Sequence, residues 1–178
     1  MFSRPRALRI AAAGGALLLA SSLAGCINVS SLLGGAERDS ETGEVQEGGT
    51  ESVFDVQVGD CFLEPDTSGD EIFDIEVVPC AEPHDYEMYY EYTLDLGEEW
   101  PGDAAISDDA LQRCDAEFEA FVGVPFQNSA TLWFSYYSPG EESWAAGDDV
   151  IQCVIYEASD ENGQQVVQVE GSLEGAAR

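Results

Sequence analysis

The sequence predicts an α+β domain, a mainly antiparallel sheet of about five or six strands with one helix packed on one face and two disulfides. Three observations carry this. Short runs alternate apolar and polar residues with period two, a single stretch between them has apolar residues at helical spacing, and four of the five cysteines fall within the same region. The order is strands, helix, strands, with no internal repeat, which suits a helix lying on an antiparallel sheet whose other face is either solvated or closed over as a small barrel.

Taken in chain order, Arg4, Arg6 and Arg9 precede an uncharged run from Ile10 to Leu19, the layout of a secretory signal. Gly14, Gly15, Ser21 and Ser22 interrupt the apolar character, which leaves it short of the roughly 20 apolar residues that a membrane span needs. The run ends at Leu23-Ala24-Gly25-Cys26, which resembles the lipobox of bacterial lipoproteins. That resemblance implies that residues 1–25 are a signal peptide, that Cys26 is thioether-linked to a diacylglycerol, and that the mature chain sits at the outer face of the cell membrane. Two acyl chains anchor a protein stably without a spanning helix.

Residues 26–52 are rich in Ser, Gly, Glu, Gln and Thr and read as a flexible acidic tether after the lipidated cysteine. As a random coil, roughly 25 residues would reach about 25–30 Å from the membrane. The domain itself is expected at 53–178. Phe73, Ile75 and Val77 alternate with acids, as do Tyr86, Met88, Tyr90, Tyr92 and Leu94 with Glu87, Tyr89, Glu91, Thr93 and Asp95, so both runs read as half-buried strands. The short link from Pro79 to Asp85 makes them expected hairpin neighbours. Ser107, with Asp108 and Asp109, reads as a helix start, and Leu111, Cys114, Phe118, Phe121 and Val122 as one apolar face. Gly123 and Pro125 supply the stop. Strand-like runs follow at Thr131 to Tyr137, Val150 to Glu157 and Gln165 to Glu170.

With Cys26 assigned to lipid, Cys61, Cys80, Cys114 and Cys153 remain for an oxidising compartment. They allow three pairings. The favoured one joins Cys61 to Cys80 and Cys114 to Cys153, because the first closes a segment flanking one strand and the second ties the helix face to the sheet; the other two stay open.

The formal net charge is −30, there is no lysine, and beyond residue 25 only Arg38, Arg113 and Arg178 are basic. Such a surface repels phosphate backbones and anionic headgroups, which argues against nucleic-acid partners and for neutral or basic ones. No catalytic signature emerges. Cys80 stands four residues before His84, the sole histidine, but Glu82, Asp85 and Glu87 around it oppose a thiolate. One histidine with scattered cysteines lacks the paired spacings of a zinc site. Asp66-Thr67-Ser68-Gly69-Asp70-Glu71 and Gly147-Asp148-Asp149 are oxygen-rich but do not match a calcium loop, and read as turns. No cofactor and no metal are expected.

Val58-Gly59-Asp60-Cys61, Val78-Pro79-Cys80-Ala81-Glu82-Pro83-His84, Cys114, and Trp144 through Gly147-Asp148 to Cys153 together resemble the septum formation-related domain of actinobacterial envelope proteins. One element departs from the pattern: Asp149 stands where a basic residue often follows the second Gly-Asp. The resemblance implies a non-enzymatic extracytoplasmic module associated with cell division. Asp60 and Asp148 are expected to cap turns, and His84 to hold its loop by hydrogen bonds. A binding patch is expected around His84, Asp85, Trp144 and Asp148, where an indole and carboxylates would meet a polar ligand. The reading is thus a lipid-anchored interaction module for an envelope or division protein. The alternative is a wall-glycan binder using Trp133, Tyr137 or Trp144 as a sugar platform, with an envelope hydrolase a remote third.

Overall fold

The computed structural model describes residues 34–65 and 72–178. The leader, Cys26 and the acidic turn at 66–71 lie outside these residues. The predicted α+β class is what forms: a seven-stranded antiparallel sheet and one long helix. β1 (Glu37–Arg38) and β2 (Val45–Glu47) make a small pair of their own. β3 (Gly49–Ser52), β4 (Cys61–Phe62), β5 (Asp74–Val78), β6 (Tyr86–Thr93), β7 (Leu132–Tyr137), β8 (Val150–Ala158) and β9 (Val166–Val167) form the main sheet. Its order is β3-β5-β4-β6-β8-β7, with β9 on the end of β8. Helix α1 spans Asp103–Val122 and a short α2 spans Glu141–Ala145.

Both favoured disulfides form, Cys61 to Cys80 and Cys114 to Cys153, with Cα separations of 5.1 and 5.6 Å. The expected hairpin does not. β5 and β6 are separated by β4, which pairs Cys61 with Val78 on one side and with Glu87 on the other. The link from Pro79 to Asp85 therefore crosses two strand spacings, about 10 Å, instead of one. A two-residue strand carries no periodicity, so nothing in the alternation announced it; the fully buried Phe62 and the disulfide hold it there.

Helix α1 begins one turn before the expected start. Gly102, at φ 88°, receives the amides of Ala105 and Ile106, and Ser107 is already inside the helix, its hydroxyl accepting from Tyr136. Burial of Ile106 outweighs the capping chemistry of Ser107. The buried stripe is Ile106, Ala110, Cys114, Phe118 and Val122, whereas Leu111 faces solvent. Gly123 ends the helix in the left-handed conformation at φ 93°, as expected.

The alternation in β6 breaks at a bulge between Met88 and Tyr90. Met88 belongs to the core on the sheet face away from α1, while Tyr89, the residue with no cross-strand partner, turns beneath the helix and donates its hydroxyl to the Cys114 carbonyl at 2.7 Å. Strand β8 shows the two faces plainly: Ile151, Cys153 and Ile155 pack under α1, and Val154 packs in the second core.

That second core corrects the tether expected at 26–52. Its described part, residues 34–52, is folded: Ala36 is buried in one cluster with Val53, Val56, Phe62, Ile75 and Val77, and β3 pairs with β5 over four residues. The contact at Gly49 is so close that a Cβ there would lie 2.4 Å from the Gly35 carbonyl carbon, so only glycine fits. Arg38 fastens the strap. It donates to both Asp60 oxygens, at 2.6 and 2.8 Å, and to Glu51. The sheet face opposite α1 is thus covered by chain, not solvated, over the β3–β5–β4 half.

Candidate functional site

The four residues expected to form one patch lie at two ends of the sheet. His84 and Asp85 precede β6, whereas Trp144 and Asp148 flank the Leu94–Asp149 contact beyond its other end. The strand between them covers about 25 Å at roughly 3.3 Å per residue, so no common ligand of modest size spans it. His84 is fully buried: its backbone exchanges two hydrogen bonds with Val169, Nδ1 lies 2.8 Å from the Glu82 carbonyl, and Nε2 has no partner among the described residues. Asp85 accepts from the Glu64 amide and from Gln168. Trp144 packs edge-on against Trp100 and donates to the Glu98 carbonyl, and Asp148 accepts from the Val150 amide in the turn that Gly147 opens. Asp60 likewise accepts the Gln57 amide in its turn.

Beside His84, the buried Glu87 accepts from the Ser172 hydroxyl and the Leu173 amide, both at 2.6 Å. Its carboxylate stands within 4.8 Å of both sulfurs of the Cys61–Cys80 disulfide. Bonded to each other, those sulfurs offer neither a metal ligand nor a thiolate next to His84. Burial holds the Glu87 carboxyl above its ordinary range, against the opposing pull of the two hydrogen bonds. A raised folded-state value means that the group's stabilising contribution is fully present below its unperturbed 4.5 and is lost as pH rises through the folded value. The stability of the wild type relative to Glu87→Gln, from urea titrations between about pH 4 and 8, is therefore expected to fall with rising pH; a flat or rising difference contradicts this assignment.

A cleft with room for a ligand lies elsewhere, on the sheet face opposite α1. Trp133, Ser135 and Tyr137 alternate out of β7 on that side, as Val154 and Tyr156 do from β8, and Tyr86 joins them from the start of β6. All of these but Trp133, with Glu64, Pro65, Ile72, Gly163, Gln164 and Val166, line a partly open cleft of about 230 Å³. The buried Phe62 ring packs 5.6 Å from Tyr86 and 6.3 Å from Tyr137, and Tyr86 meets Tyr156 at 5.3 Å and 59°. Burial, then the charge of Glu64, pushes the Tyr86 phenol up to about 12; burial also raises Tyr137 and Tyr156. All three are neutral rings at physiological pH.

Of the aromatics expected as a sugar platform, only Tyr137 lines this cleft. One face of Trp133 is covered by Gly163, where a Cβ would lie 2.4 Å from the ring, and Trp144 is buried at the far end. The cleft was readable in part: alternation in β7 already puts Ser135 and Tyr137 on one face. What the sequence did not disclose is that Tyr86 comes alongside, because that depends on β6 pairing with β8 in the register that sets Glu87 opposite Ile155.

Residues 58–178 match the family model described as Septum formation. The chain belongs to the septum formation family. The matched stretch takes in the Gly59-Asp60-Cys61 turn, both disulfides, α1 and strands β4 to β9, the cleft-bearing β6, β7 and β8 among them. It begins after the strap of β1–β3, so that layer lies outside the matched residues. No curated protein and no solved structure shows comparable similarity.

Proposed function

We propose that this septum-formation family member is a lipid-anchored, non-catalytic interaction module on the outer face of the cell membrane, which binds a neutral or basic envelope or division protein. The family match over residues 58–178 carries the link to septum formation. Support for an extracytoplasmic address comes from the two disulfides, which persist in oxidising compartments, together with the lipobox-like Leu23-Ala24-Gly25-Cys26. The net charge of −30 favours a partner of opposite or no charge.

Metabolic labelling with radioactive palmitate is expected to mark the membrane-associated full chain and to leave Cys26→Ala unlabelled. Crosslinking in intact cells followed by mass spectrometry is then expected to recover an envelope or division protein with the wild type. An unlabelled wild-type chain in the soluble fraction overturns the anchor. Retention on protein-free wall polymer, with no crosslinked protein, overturns the protein partner in favour of wall glycan.

A further inference from the structure

The cleft between β6, β7 and β8 has a composition that selects among ligands. At about 230 Å³ it lies below the roughly 300–1,000 Å³ of pockets that bury a drug-sized molecule, so it suits one side-chain-sized group. Tyr86, Tyr137 and Tyr156 wall it, and the charged residue at its rim is Glu64. Among the described residues no arginine lines it. An anion entering would meet Glu64 and the electron-rich ring faces, with no cation to receive it. A purely apolar group would fill the space without using Glu64. A sugar needs several directed hydrogen-bond partners around one exposed ring, whereas here the rings converge on one another.

We propose that this cleft is an aromatic cage for an alkylammonium group, with Tyr86, Tyr137 and Tyr156 presenting π faces to the cation and Glu64 supplying the counter-charge at the rim. Aromatic faces attract a cation within about 6 Å of the ring centroid, and the attraction strengthens where water is excluded. The fully buried Phe62 packs against Tyr86 and Tyr137 and fixes their positions, so the cage is built before ligand arrives. The surrounding acidic surface raises the local concentration of cations and steers them in. Primary ammonium, as on a lysine side chain, and quaternary ammonium, as in choline, share this chemistry.

The test uses the isotope-labelled full chain in an uncharged maltoside detergent at physiological salt. Tetramethylammonium, n-butylammonium and the neutral choline isostere 3,3-dimethylbutanol are titrated while amide and ring signals are followed by NMR. Either cation is expected to saturate and to shift Tyr86, Ser135, Tyr137 and Tyr156, with the neutral isostere weaker by about tenfold. Tighter binding of n-butylammonium points to a lysine-type source, and tighter binding of tetramethylammonium to a quaternary one. Tyr156→Leu is expected to weaken binding about tenfold and Glu64→Gln about threefold, whereas Tyr137→Phe, which keeps the ring, stays within about twofold. Glu64 is exposed and its carboxylate makes no hydrogen bond among the described residues, so its variant reads the cage even if Tyr156→Leu misfolds. Equal binding of the neutral isostere, or shifts scattered over the acidic surface and unchanged by Glu64→Gln, overturns the cage. The cage depends on the cleft alone, so its failure leaves the mooring at Cys26 and the envelope role standing, and their failure leaves the cage.

Discussion

Replacing Cys114 and Cys153 together by alanine is expected to lower the stability of the folded chain by about 4 kcal/mol, the loop-entropy value for the 39-residue separation that this disulfide closes. Both cysteines are fully buried between α1 and β8, so the lost sulfurs also leave a void in the larger core. The Cys61–Cys80 bridge closes only 19 residues, for which the same reasoning gives about 3 kcal/mol. Urea unfolding measures both. The expected order is a larger drop in midpoint for the Cys114/Cys153 pair, with a melting temperature lowered by about 10 °C or more. A larger cost for the Cys61/Cys80 pair means that the register of β4, and not chain entropy, dominates what the staples contribute.

Arg38→Ala is expected to cost about 3 kcal/mol, the lower end of what breaking a buried ion pair costs, because it leaves Asp60, only 4% exposed, and Glu51 without their cation. Hydrogen bonding to Asp60 holds the guanidinium well above its ordinary value, with burial opposing and Glu51 assisting. Arg38→Lys recovers only part of the loss, since an ammonium cannot bond both Asp60 oxygens and Glu51 in one plane. The comparison is Arg113→Ala, whose pair with Asp109 is exposed and lies one helical turn away; it is expected to change stability by less than about 1 kcal/mol. Hydrogen exchange at β3 should rise in Arg38→Ala if the strap loosens. Unchanged protection there, with unchanged stability, shows that residues 34–52 are held without Arg38.

Periodicity worked where burial is one-sided. The stripe of α1 was legible because it meets one core, β7 and β8 because a run of large apolar residues marks strands that pack on both sheet faces, and cysteine position sufficed for the pairing of Cys114 with Cys153. It failed where strands are short or are held by something other than apolar side chains. β4 has two residues. β3 is Gly-Thr-Glu-Ser, secured by a glycine contact, a ladder with β5 and one arginine. The expected patch failed for a related reason: His84 and Trp144 were grouped by family motif, while the length of β6 sets them at opposite ends. Glu87 looked like a solvent-facing member of an alternating strand, and the return of the chain at Ser172 and Leu173 buries it.

The amino-acid order alone determined the α+β class, the helix with its buried stripe, the acidity and the two covalent staples, because these follow from local spacing and from which side chains leave water. Only the tertiary structure decided that an acidic, glycine-rich segment becomes a structural layer and that three tyrosines and Glu64 surround one cleft. Those outcomes depend on strand order and on hydrogen bonds between residues far apart in the chain, and neither leaves a periodic trace along it.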